Sequence, residues 1–138
     1  TGRYLKNTRD GRLMNLLLDT HVLLWWLDDN PTISRLAYSS IATGKNIVFY
    51  SAVTIWEIRI KEALGKLKIP DNFEEVLKKQ SFESLDVTVE HAHSIRSLPD
   101  IHTDPFDRLL IAQTKFEKMT LVTRDTNIKK YGISFIDA

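Results

Sequence analysis

Short apolar runs alternate with longer segments of helical length along this chain, and that alternation constrains its fold more than any other feature. Strands are typically short runs rich in β-branched or aromatic side chains. Such runs are either apolar throughout or alternate between apolar and polar residues. The predicted strands are residues 14–19, 46–50, 82–87, 120–123 and 132–137. Because strands that alternate with helices favour parallel pairing, we expect an α/β fold, a three-layer α/β/α sandwich around a mainly parallel sheet.

Local signals at the segment ends predict the intervening helices. Asn30 as cap, Pro31 at the first helical position and Gly44 as a stop indicate a helix between them. Ser51 caps a long helix over about 52–66, and Asp104 opens another that reaches about 118. Further helices are expected at 20–29, 71–80 and 88–99.

Length and composition narrow the class of protein. A chain of 138 residues is long enough for a single domain with a real core. The absence of cysteine excludes disulfides, thiolate metal sites and cysteine catalysis, and no apolar run approaches a membrane span. No signal-peptide pattern is present either, so we expect a cytoplasmic protein without a membrane partner.

The first thirteen residues differ from the rest. They carry four basic residues and one acid without apolar periodicity, and we interpret 1–13 as an expression or upstream remnant. We expect one domain over 14–138, in which 15 basic and 17 acidic residues give a net charge of −2. Net charge therefore does not indicate a nucleic-acid partner; a local basic patch or metal ions would be needed.

Two acids follow predicted strands. Asp19 ends the first strand directly after three leucines, and Asp125 follows the fourth strand. Each has a simpler explanation, since Asp19 is suited to capping a helix and Asp125 to an Asx-type turn. In parallel sheets, however, ligands bind beyond the carboxyl ends of the strands, where both acids are expected.

A third acid, Glu57, lies on the long helix after Ser51. The spacing places Glu57 on a predicted core-facing stripe of apolar residues, which are Val53, Trp56, Ile60, Leu64 and Leu67. A carboxylate on an apolar face is unusual, which favours a functional role. The alternative is an ordinary ion pair with Lys61, four residues further along the helix.

Together these acids predict a cation site. A fold that joins Asp19, Glu57, Asp125 and the Asp-rich helix start at 104–107 concentrates negative charge, which hard cations would neutralise. Oxygen ligands without cysteine favour Mg²⁺ or Mn²⁺, which suit phosphodiester cleavage by a metal-activated water. The four histidines lack zinc-site spacing, and no glycine-rich phosphate loop is present.

The stretch HTDPFDRLLIAQ at 102–113 contains two aspartates with different predicted roles. If both aspartates only start the helix, Asp104 is its cap, Pro105 fits its first turn and Asp107 occupies its third position. The other acids require a fourth partner at a helix start, where the positive end of the dipole tolerates carboxylates. We therefore predict Asp107 as a metal ligand and Asp104 as the cap that orients it.

Four segments, in order over residues 14–138, resemble the signature blocks of the PIN-domain family, especially VapC-type toxins of type II toxin–antitoxin systems. They are NLLLDTHVLLWWL, SAVTIWEIRIKEALGKL, LPDIHTDPFDRLLIAQT and LVTRDTNIKKYGI. The resemblance implies an α/β/α sandwich and a Mg²⁺- or Mn²⁺-dependent endoribonuclease that acts on RNA. It also implies a homodimer and a cognate VapB-type antitoxin.

The resemblance also implies roles for individual residues. The family's four acids match Asp19, Glu57, Asp107 and Asp125, with Asp104 in an extended HxDPFDR form. Thr123 and Ser51 fall where small polar residues line the family's site, and Arg108 and Arg124 are weaker candidates for phosphate contact.

Two alternatives remain open from the sequence. An aspartate-based phosphotransfer or phosphatase domain also carries an acid after strand one, although His21 and Thr20 stand where its further acids are expected. The other alternative is a catalytically silent PIN scaffold that only binds partners.

Overall fold

The computed structural model describes residues 13–138, which form a five-stranded sheet flanked by helices. All neighbouring strands are parallel, in the order β3-β2-β1-β4-β5. The strands are β1 (Asn15–Leu18), β2 (Ile47–Ser51), β3 (Glu83–Leu85), β4 (Thr120–Thr123) and β5 (Phe135–Asp137). The predicted α/β class with a parallel sheet is confirmed. The interpretation of residues 1–13 falls almost entirely outside the described residues.

Central strand β1 separates two apolar cores. Successive side chains of a strand point to opposite faces, so Leu17 joins one core while Leu16 and Leu18 join the other. All three are fully buried, as expected for a strand covered on both faces. The continuous apolar run that predicted this strand is therefore the signature of its central place in the sheet.

Seven helices within residues 13–138 cover the sheet. They are α1 (Thr20–Leu27), α2 (Arg35–Ala42), α3 (Ala52–Ala63), α4 (Phe73–Lys78), α5 (Val89–Ser94), α6 (Pro105–Phe116) and α7 (Thr126–Lys129). None of the helices in this part of the chain is both long and apolar enough to cross a membrane.

Two helices differ most from the sequence predictions. Helix α2 begins at Arg35 with Ser34 as its cap, not at Pro31, because the side chain of Asn30 accepts from Thr32 N and closes a local turn instead. The segment predicted as one helix over 88–99 is helical only to Ser94 and continues as a 3₁₀ turn. In both cases the segment is helical over a shorter range than its end signals suggested.

Because the strands are parallel, their carboxyl ends lie along one edge of the sheet. Asp19 directly follows β1, and Asp125 lies two residues beyond the neighbouring strand β4. The amino end of α6, which precedes β4, carries Asp104 and Asp107. The topology therefore places several acids near the same edge.

Candidate functional site

Asp19 is a buried carboxylate that caps helix α1. Its Oδ1 accepts from the amide of Val22 at 2.8 Å, so the capping role foreseen from the sequence is present. Burial raises the pKa of Asp19, the Thr123 hydroxyl and the Val22 amide oppose that rise by hydrogen bonding, and the charge of Asp125 adds to it. The Asp19 and Asp125 carboxylates are therefore electrostatic neighbours.

Thr123, at the end of β4, connects these two acids. Its hydroxyl hydrogen-bonds the Asp19 side chain and accepts from the amide of Asp125 at 3.1 Å. Asp125 in turn caps α7, where its Oδ1 accepts from the amides of Asn127 and Ile128 at 2.8 and 3.2 Å. Thr123 thus lies where a small polar residue was expected, and Asp125 serves as the cap of a short helix.

Glu57 is buried, but the apolar stripe used to predict this was wrong. Trp56 and Leu64, which belong to that stripe, are 59% and 63% exposed. The buried side of α3 is instead formed by Val53, Thr54, Glu57 and Ile58. Helix α3 is rotated from the expected orientation because it packs against both α1 and α6, and Glu57 lies on the buried side in either orientation.

Both oxygens of Glu57 have partners. Oε1 accepts from the Thr20 hydroxyl at 2.6 Å, and Oε2 lies 2.5 Å from the Lys61 ammonium. The pKa of Lys61 is raised, chiefly because it donates to Glu57, and Asp104 and Asp107 add negative charge nearby. The ion pair offered as the ordinary explanation is present, and it lies beside the acids of α6.

The start of α6 has the predicted arrangement. Asp104 is the cap, and its Oδ1 accepts from the amide of Asp107 at 2.9 Å, with Pro105 in the first turn. Burial raises the pKa of Asp107 to about 6, and the charges of Asp104 and Glu57 add to the rise. The hydrogen bond from His102 opposes it. The pKa of Asp107 is therefore raised chiefly by burial, and the neighbouring carboxylates add to the effect.

His102 is a site residue that the sequence reasoning missed. Its Nε2 lies 2.8 Å from Asp107 Oδ2. Ligand atoms of His102, Asp107 and Asp125 all lie within 4.8 Å of one another. The histidine spacing typical of zinc sites does not describe this arrangement. The sequence feature that indicates it is a histidine two residues before the Asp-Pro start of a helix.

Three other predicted residues are engaged elsewhere. The Ser51 hydroxyl donates to Gln113 Oε1 at 2.5 Å and caps α3, and no hydrogen bond among residues 13–138 joins it to the four acids. Arg108 donates to the carbonyls of Pro99 and His102. Arg124 donates to Thr32 and to the Ala138 carbonyl, and its guanidinium lies 4.4 Å from the centre of the Trp25 ring. Both arginines thus hold the fold together around the site.

The donor set fits a hard divalent cation. Two carboxylates and one imidazole converge, and Asp19 and Glu57 lie close enough for their charges to act on Asp125 and Asp107. Carboxylates at a common edge with raised pKa values are stabilised when a positive ion binds among them. The arrangement therefore offers the oxygen and nitrogen donors that such a cation binds.

The protein is thus an α/β protein with a five-stranded parallel sheet and a group of acids at the carboxyl edge of that sheet. The family model of the PIN domain matches residues 16–134. The chain belongs to the PIN domain family, as its sequence blocks indicated. No curated protein sequence matches it.

Solved structures share the fold at low identity. VapBC2 from Rickettsia felis, bound to a promoter DNA fragment, is similar with a TM-score of 0.69 and 16% identity over 90% of this chain and 98% of that one. DNA-bound VapBC from Salmonella typhimurium gives 0.65 and 18% over the same shares. The PIN domain endonuclease Utp24 gives 0.55 and 20% over 90% of this chain and 84% of that chain.

Proposed function

We propose that this PIN domain is a divalent-cation-dependent endoribonuclease that acts as the toxin of a toxin–antitoxin pair. The observation that carries the proposal is the convergence of Asp107, Asp125 and His102 within 4.8 Å at the carboxyl edge of the sheet. Family membership and the likeness to the Utp24 endonuclease and to VapBC structures support it.

The proposed ligands are Asp19, Glu57, Asp107 and Asp125, which would hold one or two Mg²⁺ or Mn²⁺ ions. Such a cation, when bound, would stabilise negative charge on the scissile phosphate and activate the attacking water. Asp107 and Asp125 would hold the ion most directly, since a ligand oxygen of each lies within 4.8 Å of the other. Thr123 keeps Asp19 and Asp125 in place through its two hydrogen bonds.

Glu57 has a different environment from the other acids. Its oxygens are bonded to Thr20 and Lys61, so Glu57 reaches a cation only if Lys61 moves away or through an intervening water. With Lys61 in place, its ammonium offsets the charge of Glu57 beside Asp107. No side-chain nucleophile is required, and cleavage leaves a 5′-phosphate and a 3′-hydroxyl.

Asp107→Asn and Asp19→Asn test the activity. Each is expected to abolish Mg²⁺- or Mn²⁺-dependent cleavage of RNA while the circular dichroism spectrum is retained. Asp71→Asn, an exposed acid away from the strand edge, is the matched control and should keep full activity. Full activity in either site variant would contradict the assignment, and an inactive but cation-binding wild type would favour the silent scaffold.

We also propose a VapB-type antitoxin as partner, bound at an apolar groove. The groove has a volume of about 440 Å³ and lies between α1 and the chain leading into α4. Trp25, Ile69 and Phe73 are among its lining residues. A groove of this kind suits an amphipathic segment of a partner, and similar VapBC structures are toxin–antitoxin complexes.

The exposed stripe of α3 is our proposed homodimer face. Trp56 and Leu64 are both largely exposed, and Trp56 packs edge-on against Phe106 at 5.2 Å between ring centres. Apolar residues at helical spacing that are not covered by the chain's own core are typical of a subunit interface. This explains why the stripe resembles a core pattern in the sequence.

Two tryptophan variants separate these surfaces. Trp56→Ala should convert a dimer to a monomer in sedimentation velocity without weakening binding of the co-encoded antitoxin. Trp25→Ala should weaken antitoxin binding and leave sedimentation unchanged. The partner proposals fail if each variant leaves its own measurement at the wild-type value.

A further inference from the structure

We propose that His102 supplies a nitrogen ligand to the cation at this site and so favours Mn²⁺ over Mg²⁺. The proposal rests on the cation-dependent function proposed above and adds a residue to it. Its basis is the position of the imidazole: Nε2 lies 2.8 Å from one Asp107 oxygen, and a ring nitrogen lies within 4.8 Å of an Asp125 oxygen.

The spacing of the three residues allows His102 to share an ion with both acids. One ligand atom from each of His102, Asp107 and Asp125 lies within 4.8 Å of the other two. Ligands about 2.1 Å from an octahedral ion are about 3 Å apart when adjacent and about 4.2 Å apart when opposite, so the three atoms are close to the spacing that one ion requires.

The backbone of His102 is held on both sides. Its amide donates to the Tyr131 hydroxyl at 2.8 Å, and its carbonyl accepts from Arg108 at 3.3 Å. Tyr131 is itself part of the buried core, and Arg108 is on α6 one residue after Asp107. The loop is thus tied to the core and to the helix that carries Asp107, and the contact of Nε2 with Asp107 directs the ring toward that acid.

Access and donor chemistry agree with this role. The side chains of His102 and Asp107 are 20% and 22% exposed, so an ion can enter without displacing the core. Mg²⁺ prefers oxygen ligands and near-ideal octahedral geometry, whereas transition ions accept imidazole. Mn²⁺ accepts both kinds of donor, and a mixed set of two carboxylates and one imidazole favours it over Mg²⁺.

Pulsed electron paramagnetic resonance of the protein loaded with Mn²⁺ tests the proposal without RNA. We expect modulation from a directly coordinated ¹⁴N nucleus in the wild type. That signal should be lost in His102→Gln and retained in His93→Gln, whose histidine is exposed on α5. Calorimetry should show Mn²⁺ binding weakened by about tenfold or more in His102→Gln, with a smaller change for Mg²⁺.

The outcomes separate this inference from the proposed function. Wild-type protein that binds Mn²⁺ without ¹⁴N coupling overturns the role of His102 and leaves the acidic site intact. If wild type and Asp107→Asn both fail to bind either cation, the proposed cation site is itself wrong. The wild-type spectrum decides the question even if His102→Gln does not fold.

Discussion

At the scale of single residues, the site carries its negative charge at an electrostatic cost. Burial raises the pKa values of both Asp19 and Asp107, and neighbouring carboxylates add to each rise. The hydrogen bonds from Thr123 and His102 recover part of that cost. Acids with raised pKa values are typical of functional sites, and a bound cation offsets the electrostatic cost of ionising them.

Asp107→Asn is expected to stabilise the cation-free protein at neutral pH. The pKa of Asp107 is about 6 in the folded protein against 3.8 for an unperturbed aspartate, so its contribution to stability falls as pH rises between those values. At pH 7.5 the variant should gain on the order of 1–2 kcal/mol in the free energy of unfolding, after allowance for partial solvent exposure.

Denaturant unfolding in chelator at pH 7.5 and at pH 4 measures this effect. The advantage of Asp107→Asn over wild type should shrink toward zero at pH 4, where the native Asp107 is already protonated. An advantage that did not depend on pH, or a loss at pH 7.5, would contradict the assigned environment of the carboxylate.

At the scale of elements, the amino end of α6 combines two roles in one turn. Asp104 accepts from the amide of Asp107 as an ordinary cap, while Asp107 directs its carboxylate to His102. The positive end of the helix dipole favours both charges. The same turn therefore starts the helix and positions a site residue.

Asp104→Ala and Asp104→Asn separate capping from charge. Asp104→Ala should lower the free energy of unfolding by about 1 kcal/mol, because the amide of Asp107 loses its acceptor. Asp104→Asn keeps an acceptor and removes a charge that repels Asp107, so its stability should stay near that of wild type. Equal losses in the two variants, measured by urea unfolding at pH 7.5, would exclude this division of roles.

At the scale of the whole molecule, the two cores share one sheet. Leu17 contributes to one core, while Leu16 and Leu18 contribute to the other from the same strand. Trp25 and Trp26 pack against the second core. Damage to either face should therefore be felt across the molecule, as a single cooperative unit.

Leu17→Ala tests this cooperativity. It should lower the free energy of unfolding by about 2–5 kcal/mol through lost burial and a residual cavity. Trp25 and Trp26 pack against the core that does not contain Leu17. Even so, the unfolding transitions followed by tryptophan fluorescence and by far-ultraviolet circular dichroism should shift to the same new midpoint. Leu36→Ala, at a largely exposed site, should leave the midpoint nearly unchanged. Two separate transitions in Leu17→Ala would show that the cores unfold independently.

Much of the fold could be predicted from local sequence signals. The continuous burial of β1, the cap at Asp104 and the acids after β1 and β4 each follow from a few neighbouring residues. Parallel pairing then places Asp19 and Asp125 at one edge, because adjacent parallel strands end there. The fold class and the general location of the acids therefore follow from the amino-acid sequence alone.

Other features depend on contacts between residues distant in the chain. Helix α3 exposes Trp56 and buries Thr54 because of the way it packs against α1 and α6, which its own periodicity does not encode. His102 lies near Asp125, 23 residues further along the chain, and its backbone amide donates to the hydroxyl of Tyr131. Arg124 donates to the hydroxyl of Thr32, which is far from it in sequence, and to the carbonyl of Ala138. Local patterns specify which segments form helices and strands, whereas long-range packing decides which side chains meet at the site.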